Sequence, residues 1–276
     1  MKTIRRLLLL VSVGFLVLVA VLDAWGYFTL GTLEPVANAV RRADANRVVM
    51  VFGATGSVGD GLLKAAIEDP DVRTVYVVTR RSSSRIDDGV ASGKVEMRLH
   101  EDFTDYRDLA DVLGEVSTVL WGLGVSSLQV DDATYTRIQV DFPMAFVNAW
   151  LSAKKSGAMS FHYVTGIGTD GNAHWARQKK RAERELAALA QNSDLRTYSY
   201  RAGFIRPTTE RASTVDYVLA ALLRPGSLVI TSTDLGRAML EISARTGELP
   251  NGTLIDAADS IAYAKAYRDH AKRLAN

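Results

Sequence analysis

Val48-Val49-Met50-Val51-Phe52, followed by Gly53-Ala54-Thr55-Gly56-Ser57-Val58-Gly59, decides how this chain is read. An unbroken apolar run suits a strand buried on both faces, as in a parallel sheet. From Asp60 to Glu68, Leu62, Leu63, Ala66 and Ile67 recur at helical spacing, and Asp69-Pro70 closes the element. The glycines stand at the join. Gly53 lets the chain turn at the strand end. Gly56 leaves room for backbone to approach a diphosphate, and Gly59 lets the helix close on the sheet. The free N–H groups that open such a helix present a positive partial charge to a phosphate. A glycine pattern alone is weak evidence. A strand before it and a helix after it supply the context a dinucleotide turn requires.

Outward from this turn, strands and helices alternate. Val75–Val78 reads as a second strand, Ser82–Gly93 as a polar loop and Val95–Leu99 as a third strand. Tyr106–Leu113 follows as a short helix and Thr118–Trp121 as a fourth strand, closed by Gly122 and Gly124. Asp132–Lys155 has the pattern of a long helix kinked at Pro143. Its aromatics Tyr135, Phe142, Phe146 and Trp150 belong either to the core or to a helix–helix homodimer face. Phe161–Val164 and Leu195–Tyr200 read as strands on either side of a helix over Ala173–Gln191. Val229–Thr231 and Leu254–Ile255 are short strand candidates. This alternation predicts an α/β protein: a Rossmann-type doubly wound parallel sheet with helices on both faces. A small C-terminal substrate-side extension covers about residues 203–276, and the substrate pocket is expected from Ser126–Asp132 and Arg206–Thr233.

The N-terminus follows another pattern. Leu7–Leu22 is free of charge over sixteen residues. As a helix it spans only about 24 Å, short of the roughly 30 Å hydrocarbon core. Continued through Trp25, Tyr27 and Phe28, with Lys2, Arg5 and Arg6 at the near side and Asp23 near the far interface, it becomes a reasonable single span. We therefore expect a transmembrane anchor over residues 1–30, a linker over 31–46 and the nucleotide-binding domain over 47–276. A signal peptide cleaved near Ala24-Trp25-Gly26 is the alternative. The early basic residues favour a cytoplasmic N-terminus. Asn251-Gly252-Thr253 is a glycosylation sequon that matters only in an exoplasmic domain.

Composition narrows the classes. Hydrophobic residues make up 47% and charged residues 23%, as in folded globular chains. Lys and Arg total 33 against 31 Asp and Glu, a net charge of +2 that gives no reason to expect a nucleic-acid partner. Cysteine is absent, which excludes disulfides and thiolate metal sites. The histidines, His100, His162, His174 and His270, are scattered, so no metal is expected.

The second strand ends in Thr79-Arg80-Arg81, where NAD-selective folds place an acid for the ribose 2′-hydroxyl. No acid occurs before Asp87, and guanidinium suits a 2′-phosphate, so NADP is expected, with NAD the alternative.

GATGSVG, Arg80, HEDFTDY (100–106), WGLGVSS (121–127), YVTGIGTD (163–170), WARQK (175–179) and RAGFIRP (201–207) occur in an order that resembles the atypical short-chain dehydrogenases/reductases. These are also described as epimerase/dehydratase-like or NmrA-like proteins, and the branch most similar is the Tat-interacting-protein-like oxidoreductases. The resemblance runs from about Arg47 to Ile255 and leaves out the apolar N-terminus. It implies that Gly53 to Gly59 cradle the coenzyme, that Asp102 and Phe103 contact adenine, and that Gly122, Leu123 and Gly124 line the site. It also implies that Thr165 stands at the catalytic serine position, that Lys179 holds the nicotinamide ribose, and that Gly203, Phe204 and Ile205 lie near the carboxamide. One position departs. Where active members carry Tyr-x-x-x-Lys, this chain has Trp175-Ala176-Arg177-Gln178-Lys179. Indole is a donor only and is no acid or base near neutral pH. Tyr163, Asp170 and His174 are nearby stand-ins. The implied activity is hydride transfer to or from a small carbonyl or alcohol substrate. A catalytically impaired NADP(H) sensor or scaffold is the alternative, and an epimerase or dehydratase a weaker one.

Overall fold

Alternate residues of β1 (Val48–Phe52) enter different cores: Val49 and Val51 on one side, Met50 and Phe52 on the other. A strand divided in this way must have helices packed over both faces. The computed structural model, which describes residues 2–154 and 156–275, has that arrangement. The strands β1, β2 (Thr74–Thr79), β3 (Val95–Leu99), β4 (Thr118–Trp121), β5 (Met159–Val164), β6 (Leu195–Arg201) and β9 (Thr253–Asp256) form a seven-stranded sheet. Their order is β3-β2-β1-β4-β5-β6-β9, parallel at every step. Val51 pairs with Val77 on one side and Leu120 on the other. The order reverses between β1 and β4, the switch point at which such sheets open a crevice beyond their carboxyl ends. A separate parallel pair, β7 (Phe204–Arg206) and β8 (Val229–Thr231), stands beside the main sheet.

The helices divide between the faces. α2 (Ser57–Glu68), α9 (Ser232–Ala244) and α10 (Ala257–Ala275) cover the valine face. α4 (Ala110–Leu113), α6 (Phe142–Ala153) and α7 (His174–Leu189) cover the other, where Phe52, Trp121, Phe146 and Phe161 pack ring to ring. Phe146 and Trp150 are wholly buried there, which makes them core residues rather than a surface for a second chain.

Three segments differ from the sequence reading. The stretch read as a polar loop contains a helix, α3 (Ser84–Ala91). It buries little beyond Ile86 and Gly89 and is held by Arg85, which reaches Asp60 at 3.0 Å. The long helix is divided into α5 (Asp132–Thr136), a wide π turn over Arg137–Asp141, and α6. Pro143 is the cause: it has no N–H for the Gln139 carbonyl four residues back. Tyr163 supplies the missing donor, its hydroxyl reaching that carbonyl at 2.7 Å. The stretch read as a linker is docked. Gly31 N–H donates to Asp256 at 2.9 Å, Leu33 N–H to Asp259 at 2.8 Å, and Arg41 meets Glu241 at 3.1 Å. Asn251 is occupied too: its amide donates to the Ala187 carbonyl and its oxygen accepts from Thr197, so the sequon asparagine serves packing.

α1 (Lys2–Thr29) would be about 42 Å long at helical rise. Its Ser12–Thr29 window has a mean hydropathy of 1.6 and is 6% buried, long and apolar enough to cross a bilayer. Its end is fixed to the domain at the turn Pro225–Ser227. Gly26 packs so close to Gly226 that a Cβ would lie 2.1 Å from the Gly226 oxygen, and Asp23 accepts the Gly226 N–H at 3.2 Å.

Candidate functional site

The glycine turn is built as its sterics require. Gly53 has φ +74°, and a Cβ on it would lie 2.6 Å from the Gly122 carbonyl carbon, so β1 and β4 end in direct backbone contact. A Cβ on Gly59 would lie 2.0 Å from the Gly53 oxygen. Gly56 is the exposed N-cap of α2, and no side chain caps the first turn. Its N–H groups therefore open outward, the arrangement that receives an anion.

Two clefts meet at Leu123. One, of about 400 Å³, runs from Gly53 and Thr55 to Thr79, Arg80, Arg81 and Phe103. The other, of about 460 Å³, runs from Gly56, Ser57 and Val58 past Gly122 and Gly124 to Thr165, Trp175 and Lys179. Together they cross the carboxyl ends of β2, β1, β4 and β5. Arg80 and Arg81 are exposed and have no carboxylate partner among the described residues. Asp87 sits in α3 and accepts from Ser82 at 2.5 Å.

The anticipated residues divide between groove and scaffold. The 53–59 turn, with Ala54 buried beneath it, Arg80, Arg81, Phe103, Gly122, Leu123, Gly124, Thr165 and Lys179 come together around the groove. Asp102 does not: its carboxylate accepts the Thr104 N–H at 2.9 Å and faces a different cleft. Its neighbour Phe103 lines the first cleft. Gly203, Phe204 and Ile205 line neither cleft. They lead into and form β7, where Phe204 N–H donates to Leu228 at 2.8 Å.

Lys179 is 8% exposed, donates to the Val164 carbonyl at 2.9 Å and lies 4.9 Å over the Tyr163 ring. Burial lowers its ammonium to about 7, the Glu183 carboxylate acting in the opposite direction. The Thr165 hydroxyl donates to the Tyr200 carbonyl at 3.1 Å, so it must give up that bond to polarise a ligand. The stand-ins are committed elsewhere. Tyr163 is buried under Lys179, Asp170 pairs with Lys180 and Arg201, and His174 lies 3.6 Å from Asp132.

The sequence reading missed two residues. Tyr135 lines the groove together with Trp175 and Lys179, and its hydroxyl has no hydrogen-bond partner among the described residues. The Asp131 cap, accepting from Thr134 N–H at 2.7 Å, starts α5 so that this phenol enters the cleft. Arg211 donates to the Thr55 carbonyl at 2.9 Å, while Thr208 donates to Asp60 at 2.6 Å. A strap from the C-terminal extension thus lies against the glycine turn.

Sheet order and helix layers together define a Rossmann-type α/β fold, the architecture also found in solved short-chain dehydrogenases/reductases. A short chain dehydrogenase from Pseudomonas syringae superposes with a TM-score of 0.59 at 18% identity, covering 80% of this chain and 100% of that one. The 3-oxoacyl-acyl-carrier-protein reductase of Brucella melitensis in complex with NAD gives 0.59 at 14%, covering 79% and 97%. The Pseudomonas aeruginosa RhlG/NADP complex gives 0.60 at 13%, covering 78% and 96%. At such identities the likeness shows the fold. No protein-family profile matches the chain. Protein FMP52, mitochondrial, of Chaetomium globosum is 26% identical over 146 residues, 51% of this chain and 59% of that relative's length.

Proposed function

We propose that the groove holds NADP(H) and that the protein is an oxidoreductase of the short-chain dehydrogenase/reductase type, acting on a small carbonyl or alcohol substrate. The carrying observation is the uncapped α2 N-terminus at the switch point, continuous with two unpaired arginines on one side and Lys179 on the other. The residues fit the coenzyme: Gly56 carries no side chain at the rim of the second cleft, where a Cβ would crowd the Gly53 oxygen at 3.2 Å, and Arg80 and Arg81 offer guanidinium to a 2′-phosphate. When bound, the coenzyme supplies or accepts the hydride.

The chain's own residues do the rest. The first turn of α2 binds the diphosphate, Lys179 orients the ribose and Thr165 polarises the substrate oxygen. Tyr135 donates the proton that the absent tyrosine at position 175 would otherwise give. Burial raises this phenol to about 12, which keeps it protonated as a hydrogen-bond donor at neutral pH. To transfer its proton it must be brought down by the Lys179 ammonium in the same cleft and by the bound ligand. The apolar α1 anchors the protein to a membrane, and the mitochondrial relative is consistent with an organellar one.

Calorimetry of the full chain in detergent tests the coenzyme reading: NADP+ is expected to bind more tightly than NAD+, and no heat from either overturns it. Trp175, which stands where the proton donor is expected, favours a second reading as a coenzyme-binding sensor or scaffold. Coenzyme binding without turnover on any carbonyl substrate would favour that reading. Extraction of the chain from membranes by alkaline carbonate would remove the anchor.

A further inference from the structure

A third cavity, of about 570 Å³, shares no lining residue with the groove. It lies between β8, α10 and α8 (Thr214–Leu223), within the stretch expected to shape a substrate pocket. Its floor is apolar, with Ile230 and Ile261, and Arg206, Arg224 and Arg268 stand around it. Arg268 is paired with Asp234 at 2.6 Å. Arg206 and Arg224 have no ion-pair partner among the described residues. Arg206 stacks on Tyr217 at 4.9 Å, and its Nη1 is buried without an acceptor. A buried guanidinium nitrogen left unpaired is costly, so the cavity calls for an anion. The nearby carboxylates are already engaged, Asp234 with Arg237 and Arg268, and Asp216 with Ser213.

The surroundings say what carries that anion. α8 buries none of its residues, yet it displays Val215, Val218, Leu219 and Leu222. It runs into the Pro225–Ser227 turn to which Gly26 and Asp23 fix the end of α1. Two exposed apolar helices thus leave one turn, with a cationic, apolar-floored cavity beside them. An apolar helix with adjacent arginines suits an interface of acyl chains and negative headgroups.

We propose that α8 lies in the membrane surface beside α1 and that the cavity receives the headgroup phosphate of an anionic phospholipid, bound by Arg206 and Arg224. This rests on the reading of α1 as an anchor, which carbonate extraction tests separately.

The test uses the full chain in neutral detergent. Its melting temperature is measured with phosphatidylglycerol, phosphatidylcholine or inorganic phosphate, and native mass spectrometry counts retained lipids. Phosphatidylglycerol is expected to raise the melting temperature by about 5 °C and to remain bound. The R206Q/R224Q variant is expected to lose both effects while keeping its stabilisation by NADP+. R224Q alone, at an exposed position, is expected to lose part of the shift, and it secures the test if the double variant does not fold. An equal shift with phosphatidylcholine, the full shift with phosphate alone, or no shift with phosphatidylglycerol overturns the proposal.

Discussion

His162 is wholly buried between Tyr200 and Ser243, each at 2.7 Å, and burial lowers its pKa to about 3. The folded state therefore keeps the ring neutral where the unfolded chain protonates it near 6.5. The unfolded state binds the extra proton between these values, so stability is complete above about pH 6.5 and falls as the pH drops toward 3. One proton gives a slope of about 1.4 kcal/mol per pH unit. Denaturant melts of wild type and His162→Gln at pH 7 and pH 5 should show this slope reduced in the variant. In the groove, Arg80→Ala and Arg81→Ala should each weaken NADP+ binding about 10- to 100-fold, from loss of one charge-assisted bond, and leave NAD+ binding nearly unchanged. Equal losses for both coenzymes would place the arginines away from the 2′-phosphate. Tyr135→Phe should lower turnover roughly 10²- to 10⁴-fold with coenzyme affinity retained, measured by calorimetry beside NADPH oxidation.

At the scale of elements, the π turn before α6 gives a coupled prediction. Tyr163→Phe strands the Gln139 carbonyl and should cost roughly 1–3 kcal/mol. In a Pro143→Ala background the restored amide can reach that carbonyl, so the same substitution should cost less, as a double-mutant cycle of denaturant melts would show. Gly59→Ala should destabilise by roughly 1–3 kcal/mol through overpacking, because its Cβ would fall on the Gly53 oxygen. The strand and glycine turn were legible in the sequence because their sterics admit few residue types. α3 was not: Ser84-Arg85-Ile86-Asp87-Asp88-Gly89 lacks an apolar stripe, and the helix is held by the tertiary contact of Arg85 with Asp60. The sequence predicts a kink at Pro143. Its wider effect depends on a donor from β5, which spacing along the helix does not reveal.

Across the whole molecule, the parallel sheet and both helix layers follow from the alternation of elements, whereas the strand order does not. The glycine turn and Arg80 are legible in the residues themselves, and most other groove residues follow from the resemblance. Tyr135 was hidden because an aromatic on a helix reads as core until tertiary structure turns it toward a cleft. Asp102 and Phe103, adjacent in sequence, face different clefts for the same reason. The docked 31–46 stretch was equally illegible, since its partners Asp256, Asp259 and Glu241 lie more than two hundred residues away in two cases. These distant contacts and the position of β9 at the sheet border bear on how the protein is made. A ribosome must release residue 256 before β6 acquires its last neighbour and before Gly31 finds its acceptor. Until then a nascent chain ends its sheet on the seven-residue β6 rather than on the four-residue β9, a longer edge open to pairing with another polypeptide. Premature stop codons shortly upstream of Thr253 should therefore yield aggregates rather than a trimmed but folded product.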